Sequence, residues 1–180
     1  FEVIIVDNGD LRDSTIAVLN EYDLRRITYT KQEVNVAAKM NLGAAEAKGE
    51  YILCLNDDIQ PITPDWLTNM VSLAQRDGVG GVGPRLLFDE GRVQSIGVTF
   101  CNGLPDEIRR GFPGTEAGYF FSTCGNRNYL AVTGACFLVR RDVFFDVGGF
   151  DENLAINYND IDLCLKLIRK DLRIAYCGFS

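Results

Sequence analysis

A chain of 180 residues that is 47% hydrophobic, with mean hydropathy near zero, carries enough apolar content to bury a core and too much to stay disordered. Eighteen Lys and Arg against 25 Asp and Glu leave a net charge of −7, and no basic run lines up, which argues against an electrostatic nucleic-acid surface. No apolar run approaches the roughly 20 residues of a membrane-spanning helix, no signal peptide is visible, and the absence of His and of any C-x-x-C pair leaves a zinc site little to build on.

The chain opens directly on a strand at Phe1 rather than on Met, so an upstream segment is expected to have been removed. Residues 3–6 are a continuous apolar run ending at Asp7-Asn8-Gly9-Asp10, the pattern of a buried parallel strand and its turn. Ser14 is placed to cap a helix through Ile16, Val18 and Leu19, and residues 26–30 read as the next strand. An Ala-rich helix is expected over about 35–48, with Gly49 as its C′ residue.

Residues 50–61 are the most informative stretch, because an apolar strand ends abruptly on Asn56-Asp57-Asp58. A buried strand delivers its last residues to the sheet rim where open α/β folds bind ligands, and hard oxygen donors there suit Mg²⁺ or Mn²⁺ also held by substrate phosphates. The same three residues could instead form an Asx-type turn and cap the helix after Pro61.

Thr63-Pro64-Asp65 reads as a helix start before Trp66, Leu67, Met70, Val71 and Ala74, with Gly78 as its close and a short strand over 79–83. Trp66 suits helix-to-sheet core better than an acceptor-stacking platform. Residues 84–128 are rich in Gly and aromatics, and short strands near 86–88 and 98–100 joined by mobile loops are expected. Arg109, Arg110 and Arg127 in that stretch read as solvated charge, with phosphate contact as the other reading. Residues 129–140 read as a strand whose Gly134 and Ala135 permit close approach, either of a ligand or of packed backbone. A short helix is expected near 142–147. Ile161, Cys164, Leu165 and Ile168 then mark an amphipathic helix over 159–170 capped by Asn159, before a last strand over 173–177. Cys54, Cys136 and Cys164 fall inside these apolar patterns as small core residues, which implies a reduced setting. The βα alternation predicts one α/β domain over 1–180, a mostly parallel sheet with helices on both faces.

Taken in order, Val6-Asp7-Asn8-Gly9-Asp10, Asn35 through Asn41-Leu42-Gly43 to Gly49-Glu50-Tyr51, Asn56-Asp57-Asp58, and Gly148-Gly149-Phe150-Asp151-Glu152 followed by Asn159-Asp160-Ile161-Asp162-Leu163 resemble the family 2 glycosyltransferases. These are inverting nucleotide-sugar enzymes of GT-A fold, and the nearest likeness is to the rhamnosyltransferase-like group that extends bacterial surface polysaccharides. The resemblance implies a fold truncated at both ends, its first strand lying before Phe1 and a His beyond Ser180.

The resemblance implies a DxD-type metal motif, with Asp58 as ligand to Mg²⁺ or Mn²⁺ and Asp57 supporting it or touching the ribose. It implies a nucleobase contact at Asp7, a nucleotide-site role for Asn35, and a base at Asp160. Gly134 and Ala135 would floor the donor sugar. Asp160 also fits a plain helix start, where acids stabilise the first turn, and Asp162 reads as structural or as an acceptor-side contact. Asp151 and Glu152 carry little weight beyond ending the Gly-Gly turn. The implied partners are a nucleotide-diphosphate sugar donor and a glycan or lipid-linked saccharide acceptor, without nucleic acid. The implied location is the cytoplasm, the inner face of the membrane included, where the full-length protein could associate peripherally. Two other functions stay open: a sugar-phosphate nucleotidyltransferase, and a non-catalytic nucleotide-sugar-binding module, for which Asn56 and Asn159 stand where acids are common.

Overall fold

In the computed structural model, which describes residues 1–22, 24–31 and 33–180, the apolar runs become strands and their connections become helices. In chain order these are β1 (Ile4–Asp7), α1 (Asp13–Leu19), β2 (Arg25–Thr28), α2 (Val36–Glu46), β3 (Tyr51–Leu55), α3 (Trp66–Ala74) and β4 (Val79–Pro84). Then come β5 (Leu86–Leu87), β6 (Val93–Ser95), β7 (Val98–Cys101), β8 (Leu104–Glu107), a 3₁₀ turn (Tyr119–Phe121), β9 (Arg127–Tyr129), β10 (Cys136–Arg140), α4 (Arg141–Asp146), α5 (Asn159–Ile168) and β11 (Arg173–Cys177). No helix among the described residues is long and apolar enough to cross a membrane.

The α/β class is as expected, and the central sheet is mixed, in the order β3-β10-β4-β11-β9. β3, β4 and β11 run one way while β10 and β9 run against them, and β1 and β2 pair in parallel beside this sheet. The departure from a mostly parallel sheet traces to residues 130–135. They do not continue one strand into the next, as the unbroken apolar run suggests. They pack over β4 at Gly83, where an added Cβ would lie 2.7 Å from that of Val132. The chain thus enters β10 from the edge where β3 and β4 end, and runs back antiparallel between them.

Side chains alternate across the sheet with period 2. Ile52, Cys54, Phe137, Val139 and Ile174 face a core shared with Ala37 and Ala44 of α2, Phe144 of α4, and Leu163, Cys164 and Leu167 of α5. Leu138, Cys136, Val82, Ala175 and Cys177 face Met70, Leu73 and Ala74 of α3, with Trp66 packed alongside as core. Burial pushes the thiols of Cys54, Cys136 and Cys164 up to about 12, as small core residues require. The 84–128 stretch has strands where they were expected, β5 near 86–88 and β7 near 98–100, and each pairs with the next strand in a hairpin, β5–β6 and β7–β8. Tyr176 organises it, buried against Val93 and Ile96 and donating its hydroxyl to Thr123 O at 2.8 Å.

Helix starts differ from the sequence pattern. Ser14 lies inside α1, whose N-cap is Arg12 without a side-chain bond, and α3 begins after Asp65, with Trp66 N donating to Thr63 O. Asn159 is the first residue of α5 rather than its cap. Gly49 is not a helix C′ residue, because α2 ends at Glu46 and the N–H groups of Lys48 and Gly49 turn to Glu2 Oε1 at 2.6 and 3.2 Å.

Candidate active site

The acids picked out by the sequence sit on strand ends and on the first turn of α5. β3 ends at Leu55, paired with Cys136, and the next amide, Asn56 N, donates to Ala135 O at 2.9 Å. One residue back, Gly134 N donates to Asp160 Oδ2 at 2.8 Å, while Ile161 N donates to Asp160 Oδ1 at 2.8 Å. The turn at 133–135 therefore joins the acidic end of β3 to the first turn of α5, and two backbone N–H groups fix the orientation of the Asp160 carboxylate. Gly134 has no side chain for a specific reason: a Cβ there would lie 3.1 Å from the Cβ of Asp160.

Asp57 and Asp58 are exposed, and no described residue donates to or pairs with either carboxylate. Their turn is closed by backbone, Ile59 N to Asn56 O at 3.4 Å, and α3 begins well beyond it, so they do not cap that helix. No group of three or more His, Cys, Asp or Glu among the described residues could by itself hold a metal ion. Two unpartnered carboxylates on one turn fit instead a hard divalent cation that takes its other ligands from phosphate oxygens and water.

Asp7 stands apart from these contacts. It is 7% exposed, and it accepts from Gly9 N at 2.5 Å and from Arg26 Nε at 2.5 Å. The Arg26 hydrogen bond holds its carboxyl below the usual carboxylate range. Asn35 caps α2 by accepting from Ala38 N at 2.8 Å, and its Nδ2 donates to Glu152 O at 2.8 Å. With Asn41, which bonds both the N–H and C=O of Phe150, it clips α2 to the 150–152 loop.

Several other candidates are occupied structurally. Asp162 pairs with Lys166 at 2.7 Å, and Asp151 accepts from the backbone and side chain of Asn153. Arg109 pairs with Glu116 at 2.6 Å and lies over Phe112, Arg110 lies over Phe88, and Arg127 donates to Phe120 O. A groove of about 370 Å³ lined by Arg76, Arg127 and Arg173 lies toward the opposite end of β4 and β11 and touches none of the acids above.

Sequence reasoning missed two residues. Arg26, the partner of Asp7, was signalled only by an Arg pair opening the next strand. Glu107 at the end of β8 had no sequence signal, yet its Oε2 is buried without a hydrogen-bond partner among the described residues. Burial, reinforced by the Asp160 charge, raises its pKa above the ordinary glutamate value, against the opposing pull of Ser95 and Arg110.

Among curated relatives the chain is 40% identical over 173 residues to an uncharacterized protein, y4gI, of Sinorhizobium fredii, covering 93% of this chain and 19% of that one. It is 40% identical over 181 residues to the O-antigen biosynthesis protein RfbC of Myxococcus xanthus, covering 97% of this chain and 14% of that one. A 25% identity spans 89% of the chain and 59% of the N-acetylglucosaminyl-diphospho-decaprenol L-rhamnosyltransferase of Mycobacterium tuberculosis. The chain thus spans less than two thirds of each of these proteins.

Two solved structures share the fold. GalNAc-T7, with UDP, GalNAc and Mn²⁺, superposes with TM-score 0.74 at 14% identity over 98% of this chain and 36% of its own. The mannosyltransferase PcManGT of Pyrobaculum calidifontis, with GDP-Man and Mn²⁺, gives 0.65 at 16% identity over 96% and 44%. The architecture is that of the GT-A nucleotide-diphospho-sugar transferases. The model of the family described as Glycosyl transferase family 2 matches residues 1–148, from β1 through the start of the Gly-Gly turn, and so this chain belongs to glycosyl transferase family 2.

Proposed function

We propose that the chain is one GT-A-like domain of a longer protein that moves a sugar, with inversion, from a nucleotide-diphosphate donor to a hydroxyl of a glycan or lipid-linked saccharide. The observation that carries this reading is the shared turn at 133–135, which puts Asn56 and Asp160 one residue apart on the same backbone. Transfer needs a site for the leaving diphosphate and a base for the acceptor proton within one sugar's width of each other, and the contacts at Ala135 and Gly134 support that reading. The family match ends before α5, so the role of Asp160 rests on this geometry and on the motif around it.

Asp160 accepts the acceptor hydroxyl proton as that oxygen attacks the anomeric carbon, while the bond from this carbon to the diphosphate oxygen breaks and its electron pair leaves with the diphosphate. Attack opposite the leaving group inverts the centre. Asp58, with Asp57 beside it, would hold Mg²⁺ or Mn²⁺, which when bound supplies Lewis-acid stabilisation of the departing diphosphate; Mn²⁺ accompanies the nucleotide ligands of both structural neighbours. Asp7, oriented by Arg26 and Gly9, keeps free lone pairs for a nucleobase N–H. Asn35 stands at the nucleotide side, and Gly134 and Ala135 form the floor under the donor sugar. The reading places the protein in the cytoplasm, the inner membrane face included. The lipid-linked acceptor named in the rhamnosyltransferase relative supports that acceptor class.

The test is one substitution, read by transfer rate, donor Kd and Tm. Asp160→Asn should lower transfer by about 10²-fold or more, the scale for losing a positioned base, with donor Kd and Tm unchanged. Near-normal turnover in that variant would show that the carboxylate only starts a helix.

A further inference from the structure

We propose that Tyr158 and Phe100 form an aromatic platform for the sugar ring of the acceptor. The inference deepens the transferase reading and rests on it. The β7–β8 hairpin and α5 face each other across a groove of about 270 Å³ lined by Phe100, Leu104, Pro105, Tyr158, Ile161 and Leu165. Large apolar groups stay open to solvent on both walls: Phe100 is 39% exposed, Leu104 66% and Tyr158 55%. Unfilled apolar surface of this kind, beside polar groups, is the composition of a ligand wall.

Tyr158 is held there at a cost. Its backbone lies in the left-handed region, φ 66° and ψ 1°, where a bulky residue is strained and glycine would be at ease. The surroundings impose it: Asn159 Nδ2 donates to Leu154 O and Ile156 O, both at 3.1 Å, and Val36 N from α2 donates to Ala155 O at 2.7 Å. Yet the ring so held packs into no core cluster.

The proposed base is near both walls of the groove without lining it. Tyr158 precedes Asp160 by two residues, and Glu107, which feels the Asp160 charge, ends the hairpin whose outer part carries Phe100. A pyranose presents a face of C–H groups, matched here by aromatic rings, and a rim of hydroxyls, for which the groove offers the Asp162 carboxylate. Among the described residues that line the groove Asp162 alone is charged, and it is paired with Lys166, so the lining offers no cation to the diphosphate of a donor and suits a neutral sugar.

The test is saturation-transfer NMR on the full chain with methyl pyranosides of the gluco, galacto, rhamno and N-acetylglucosamino series, without donor. At least one should show ring-proton saturation, weakened about tenfold in affinity by Tyr158→Gly and by Phe100→Ser and kept by Tyr158→Phe. Tyr158→Gly should melt no lower than the parent, because the strain is relieved. Silence from every pyranoside, or a response unmoved by Tyr158→Gly, overturns the platform. So does saturation of the octyl chain but not the ring protons of octyl glucoside, which would mark an aliphatic occupant. Failure of the base assignment reads differently: Asp160→Asn would keep its turnover while these NMR responses stood.

Discussion

Two apolar strands in this molecule end on acids, and the acids meet different fates. At the end of β1, Asp7 is buried and paired with Arg26, whereas at the end of β3 Asp57 and Asp58 are exposed and unpaired by any described residue. The strands themselves do not explain the contrast; their neighbours do. β2 runs parallel to β1 and sets Arg26 across from Ile5, within reach of Asp7, while β10 sets against the end of β3 only Cys136 and the carbonyl of Ala135. A strand-end carboxylate is fixed in orientation when the adjacent strand brings a cation, as at Asp7, and is left without a protein partner when it does not.

Asp58→Asn should have the largest effect on this contrast. Donor binding in Mn²⁺, measured by calorimetry, is expected to weaken by about 10²-fold, with Tm unchanged because an exposed, unpartnered side chain is lost. A clear fall in Tm would show that Asp58 has a structural role after all. Arg26→Ala should do the reverse, lowering Tm by a few degrees because Asp7 keeps a buried charge with one N–H for company.

The acid limb of stability sharpens the same point. The folded-state pKa of Asp7 is depressed below its usual 3.8, so its stabilisation is complete above that value and is lost as pH falls through the lower folded value. Unfolding curves below about pH 4 should therefore be steeper for the parent than for Arg26→Ala. Gly134→Ala, which crowds Asp160, should lower transfer about tenfold in a single-turnover assay. The smallest change is expected from Asp57→Asn, a few-fold rise in donor Kd; a loss equal to that of Asp58→Asn would exchange the two roles.

Strands and their order of appearance were legible because buried strands write continuous apolar runs that end on turn residues, and β11 falls on 173–177 as expected. Caps were not. Ser14 and Asn159 have the right chemistry for helix starts, but Asn159 is drawn inward to Leu154 O and Ile156 O, a tertiary demand that local preference cannot show. Between 84 and 128 the strands near 86–88 and 98–100 were legible but their pairing partners β6 and β8 were not, for a similar reason: an organising residue of the stretch, Tyr176, lies more than fifty positions from the Thr123 carbonyl it bonds. At the site, Asp58 and Asp160 could be named from motifs, whereas the Gly134–Asp160 contact, the Asp7–Arg26 pair and the buried oxygen of Glu107 are products of packing.

The short backbone path from Asn56 through Ala135 and Gly134 to Asp160 acts as a ruler. One residue inserted between 130 and 135 would change the ruler's length and pull the strand-end acids and the helix-start acid out of step together. One inserted at Asn102-Gly103, where the β7–β8 hairpin turns in open solvent with both φ values positive, would leave that spacing untouched. Drift in chain length among descendants of this domain is therefore channelled: the hairpin tip can lengthen, while the turn at 133–135 is held to a fixed count.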